Sequence, residues 1–81
     1  MITNYEHMLI SALRYALGRR TYIVSTTAEY IACEIPKLSD QCKNVMIKDI
    51  EEQERFGGYG DECDKSDWMW LLAKLKGEEQ E

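Results

Sequence analysis

The chain has little of what chemistry on a protein usually needs: one histidine, His7, one proline, Pro36, one phenylalanine, Phe56, and three cysteines. Cys33, Cys42 and Cys63 form no C-x-x-C pair, and the lone His7 does not complete a zinc set with them at any motif spacing. An odd cysteine count fits poorly with a disulfide framework, so free thiols in a reducing compartment are expected. No G-x-S-x-G, P-loop or H-E-x-x-H pattern occurs, and Cys–His catalysis would need the fold to carry a cysteine to His7. No enzymatic activity, cofactor or metal is expected. There is also no apolar run approaching a membrane span, and the opening stretch MITNYEHMLISALRYALG carries Glu6 and His7 where a secretory signal would be basic. A cytoplasmic protein is the expectation.

Positive charge is scarce as well, and its placement is uneven. The net charge is −5, yet Arg14, Arg19 and Arg20 face only Glu6 in residues 1–20, so the rest of the chain is more acidic than the total. The acids gather between Glu51 and Asp67, where only Arg55 and Lys65 oppose them. A basic field for nucleic acid or a membrane surface is therefore disfavoured. An acidic face meeting a basic protein partner is permitted.

What is present has the period of helices. With 81 residues and an apolar fraction of 44%, the chain can form one domain around one core, near the lower size limit for folding without covalent help. Tyr5, Met8, Leu9, Ala12, Leu13, Ala16 and Leu17 recur at three- and four-residue steps, which predicts a first helix over about residues 4–17 with one wide buried face. Thr3 or Asn4 would cap it and Gly18 would end it. A helix this apolar is expected to be central to its bundle or to lie in a subunit interface. The β-branched TYIV at 21–24 admits a short extended connector. Thr26–Thr27–Ala28–Glu29 has capping-box spacing, which predicts a second helix from there to just before Pro36. Ser39 or Asp40 would cap a third, with Cys42, Val45, Met46, Ile50 and Phe56 as its apolar positions, until FGGYG stops it. Ser66 would cap a fourth, where Trp68, Leu71, Leu72 and Leu75 form a stripe that Gly77 closes. The predicted fold is all-α: a compact bundle of about four short helices over residues 1–76, followed by an acidic tail at 77–81.

Three groups of residues are candidates for function. The first is Arg14, Arg19 and Arg20 with Tyr15 and Tyr22. Arginines at a helix C-terminus complement its dipole, and they can also pair internally. Three guanidiniums beside tyrosines equally suit an acidic group on a partner or a small phosphorylated anion, because each planar fork binds such oxygens in bidentate fashion. The second is an acidic interaction face of Glu51, Glu52, Glu54, Asp61, Glu62 and Asp64, which a solvated helix surface would explain as well. The third is Trp70, two positions from Trp68 and thus on another side of the helix. It can contact helix 1 or anchor an interface.

The stretch ALRYALGRRTYIV, Ala12 to Val24, together with DWMWLLAKL, resembles a set of small bacteriophage and prophage proteins with a helix–Gly–Arg–Thr–Tyr segment and a downstream tryptophan followed by leucines. The likeness covers about a quarter of the chain. It implies a bacterial host cytoplasm and a short accessory protein that binds and inhibits a host or defence protein, an anti-CRISPR-type inhibitor being one form. Two other readings stay open. One is a small-anion or nucleotide-sequestering protein built on the arginine cluster, with a homodimer through helix 1. The other is a phage structural or assembly component.

Overall fold

The computed structural model describes residues 1–17, 19, 22–58 and 62–77. Gly18, Arg20, Thr21, Tyr59, Gly60, Asp61 and residues 78–81 lie outside them. The described chain is α1 (Asn4–Ala16), α2 (Tyr22–Glu34), a single 3₁₀ turn (Ile35–Lys37), α3 (Asp40–Phe56) and α4 (Glu62–Lys76), with no strand among the described residues. This is an all-α bundle.

Local chemistry accounts for most of the helix ends. The Thr3 hydroxyl accepts the Glu6 amide while the Glu6 carboxylate accepts the Thr3 amide, a complete capping box at the start of α1. The Ser39 hydroxyl accepts from the Cys42 amide to cap α3. At its other end, the amides of Gly57 and Gly58 both reach the Gln53 carbonyl, and Gly58 does so at φ 71°. Gly77 likewise closes α4 at φ 78°.

Each helix packs on two others, α1 on α2 and α3, and α4 on α2 and α3. The four therefore form a ring with α1 and α4 across a diagonal. Trp68, Leu13, Ile31, Met46, Ile50, Leu71, Val24 and Cys42 fill its centre, each less than 2% exposed. The stripe of Trp68, Leu71, Leu72 and Leu75 is buried as its spacing predicts.

The structure differs from the sequence expectations in four places. Tyr22, Ile23 and Val24 are helical rather than extended, because Val24 sits one turn before Ala28 and two before Ile31 and is wholly buried with them. Burial outweighs the fraction of a kilocalorie by which β-branched residues disfavour helix. As a result Thr26 and Thr27 are interior to α2 and cap nothing. Helix α4 begins at Glu62, so Ser66 is interior too; the carboxylates Glu62 and Asp64 lie in its first turn, where the helix dipole favours negative charge. On α1, Tyr5, Met8 and Ala12 are exposed instead of belonging to the buried face. The wide apolar arc is two faces: Leu9, Ile10, Leu13 and Ala16 inside, and a separate stripe outside. On α3, Phe56 is 79% exposed although it continues the apolar period.

Candidate interaction groove

Trp70 is not part of the core. It is 44% exposed and forms one wall of a groove of about 530 Å³ along the seam of α2 and α4. Ala32, Cys33, Ile35 and Pro36 supply the facing wall, and Glu29 and Lys74 stand at its edges. Past Trp70 the seam continues into a smaller hollow of about 240 Å³ bounded by Ser25, Ser66 and Asp67. The Lys74 ammonium lies 5.3 Å from the Trp70 ring centroid, within cation–π range. This holds the indole against its own helix at the edge of the groove, which both residues line.

The helical period explains why this surface exists. Residues 68 and 70 point about 200° apart on a helix, so once Trp68 is the core anchor, Trp70 must face outward. Its neighbours across the seam come from a different helix, and Pro36 sits there because the 3₁₀ turn that ends α2 folds back beside it. Trp70 is visible in the sequence as an off-face tryptophan. Ala32, Ile35 and Pro36 are not, since nothing local says that α2 and α4 are adjacent.

Two members of the arginine cluster are described, and each has a partner within the chain. Arg14 Nε donates to Asp49 Oδ2 at 2.7 Å, joining α1 to α3. The Arg19 guanidinium lies 4.4 Å from the Tyr15 ring centroid. Arg14 and Tyr15 are both exposed but turn to different partners. Arg20 falls outside the described residues, as does the side chain of Tyr22.

The predicted acidic face is also divided. Glu51 Oε2 accepts from Lys76 Nζ at 3.0 Å and so ties α3 to α4. Glu54 is exposed and Glu52 half-buried. Asp64 does not belong to such a face: it is completely buried, because it lies one turn before Trp68 on the inner side of α4. Asp61 and the side chain of Glu62 are outside the described residues.

A polar centre of a different kind was not apparent from residue type alone. Glu6 is only 4% exposed. One carboxylate oxygen accepts the Thr3 amide at 3.1 Å and the other the Ser39 amide at 2.7 Å, so a single side chain holds the N-termini of α1 and α3 together. The backbone donors, Ser39 first and then Thr3, keep its carboxyl below the usual glutamate range. The Thr3-x-x-Glu6 spacing was the available signal for half of this arrangement; the bond to Ser39 spans 33 residues and had none. Cys42 lies nearby in the core, and burial, with the charge of Glu6, pushes its thiol pKa up, which suits packing rather than reactivity. Cys33 is an exposed free thiol in the groove.

Among the described residues no group of histidine, cysteine and carboxylate side chains could hold a metal ion, and no helix is long and apolar enough to cross a membrane. Fold and surface together define a small helical bundle with an apolar groove beside an exposed tryptophan. No protein-family model, curated protein or solved structure matches the chain.

Proposed function

We propose that this chain is a non-enzymatic protein-binding module that takes an apolar anchor of a partner protein into the α2–α4 groove and occludes the surface that anchor belongs to. The observation that carries the reading is Trp70, left 44% exposed against the wall formed by Ala32, Ile35 and Pro36. Tryptophan beside a concave apolar surface is the residue type in which binding energy concentrates. Glu29 and Asp67 border the same seam, so the fitting partner segment pairs an apolar side chain with a neighbouring arginine or lysine. Exposed acids on α3, Glu51 and Glu54, extend an attraction for a basic surface and speed encounter more than they add affinity. In the phage setting implied by the ALRYALGRRTYIV segment, the partner is a host or defence protein, and occlusion of an anti-CRISPR type is one form of the activity.

The pairing of Arg14 with Asp49 favours this reading over small-anion capture, since one of the three guanidiniums already has a carboxylate. The test is affinity capture from bacterial lysate, with and without phage infection, using wild type, Trp70→Ala and Glu29→Lys side by side. A protein retained by wild type, lost with Trp70→Ala, and rebound when purified supports the groove. Equal capture by wild type and Trp70→Ala would overturn it. Asp64 should be left unchanged in any charge-neutralised variant, because altering it tests the core.

A further inference from the structure

The outer face of α1 presents Tyr5, Met8, Ala12 and Tyr15 at steps of three, four and three residues, all exposed. That is the a/d spacing of a helix seam whose partner is another helix. The stripe is separate from the buried face that α1 turns to α2 and α3, and it is separate from the groove on α2 and α4. Tyr5, Met8 and Tyr15 are 38%, 69% and 59% exposed.

We propose that this stripe pairs with the same stripe of a second copy, antiparallel about a two-fold axis near Ile10. Three observations select a second copy over another partner. First, the antiparallel register is self-complementary in volume: Met8 falls opposite Ala12 of the partner subunit, a large side chain against a small one, and Tyr5 falls opposite Tyr15 of the partner subunit. Aromatic pairs of this kind gain more than their burial alone provides. Second, the face bears no like charges to meet themselves. An isologous contact sets each residue against its own patch; the exposed residues near the axis, Asn4, Tyr5, Met8, Ser11 and Ala12, carry no charge, and the one acid of α1, Glu6, is buried. Among the described residues the one cation on the stripe, Arg19 over the Tyr15 ring, lies at its far end, where the antiparallel register sets it away from its own copy. Third, the area approaches what a pair needs: scaled by the 38%, 69% and 59% exposure of Tyr5, Met8 and Tyr15, side chains of roughly 150–250 Å² together with their flanks offer on the order of 400–500 Å² per protomer, so a pair comes close to the ~1,000 Å² of a specific interface. The proposal does not depend on the reading of the groove.

Sedimentation equilibrium on the full chain tests it. Wild type should show a concentration-dependent shift from 9.5 kDa toward twice that mass. Met8→Glu and Tyr15→Glu should each weaken association about tenfold or more while leaving the helical circular dichroism unchanged, since both side chains are exposed. The double variant Tyr5→Lys/Tyr15→Glu should restore the dimer, because only the antiparallel register sets the new lysine against the new glutamate. A wild-type monomer at millimolar concentration overturns the proposal, and so does a dimer indifferent to Met8→Glu. A double variant that stays monomeric overturns the register. Trp70→Ala should dimerise as wild type does, which separates this interface from the partner groove.

Discussion

The two seams that flank the ring, α1–α3 and α2–α4, are built from different interactions. Along α1–α3 the contacts at both ends are polar and directional: Glu6 clamps the Thr3 and Ser39 amides, and Arg14 reaches Asp49. Along α2–α4 the surface is apolar and opens into the groove beside Trp70. Hydrogen bonds fix register because they tolerate little displacement, whereas an apolar wall can accept a range of side chains. One side of the ring is thus held by directional bonds and the other by an apolar wall, and the proposed partner contact lies on the second.

The largest effect should come from separating the two tryptophans of α4. Trp68→Ala removes a side chain with no exposed surface and should cost ~3–5 kcal/mol, enough to unfold most of a domain this small. Trp70→Ala should change stability by less than about 1 kcal/mol and act on partner capture alone. Thermal melts followed by circular dichroism compare them. Trp68→Phe should be milder than Trp68→Ala, because the indole Nε1 has no hydrogen-bond partner among the described residues and little polar bonding is lost.

The polar clamp should rank next. Glu6→Gln keeps the shape but gives up one carboxylate oxygen and the charge, and it should lower the urea midpoint more than loss of any exposed ion pair. Its pH dependence has a definite sign. The folded carboxyl titrates below its unfolded value of about 4.3, so its contribution is fully present above that value and is lost as pH falls through the lower, folded pKa. Wild type should therefore lose stability toward acid more steeply than Glu6→Gln, as urea melts across pH 2–6 (about the range of carboxylate titration) would show. Parallel acid profiles for the two proteins would mean the clamp does not form.

Smaller effects sharpen the picture at the edges. Gly58→Ala places a side chain at φ 71°, where nothing else crowds it, so the cost is backbone strain alone, about 1 kcal/mol. A double-mutant cycle on Arg14→Ala and Asp49→Ala should return a coupling of ~0.2–1 kcal/mol, since the guanidinium side of the pair is 60% exposed. A coupling near zero would leave Glu6 as the polar contact that matters on the α1–α3 side.

Much of the fold was readable where a signal is local. Ser39 capped α3, FGGYG ended it, Gly77 ended α4, and the Trp68, Leu71, Leu72 and Leu75 stripe faced the core. The candidate site was less readable. Trp70 stood out by its angle from Trp68, but the wall opposite it comes from α2. Of the arginines, Arg14 is paired with Asp49 of α3, 35 residues away, and Arg19 stacks on Tyr15, neither of which residue type alone foretold.

Local signals were enough to make this chain helical, to stop three of its helices roughly where they end, and to turn one face of α4 inward, because caps, left-handed glycines and a single apolar stripe act over four residues or fewer. Packing between helices set the rest: that Tyr22–Val24 join α2, that Asp64 is buried, and which of the two apolar arcs of α1 goes inward. Each of those outcomes depends on what a neighbouring helix offers to pack against, and burial energy is a property of the pair.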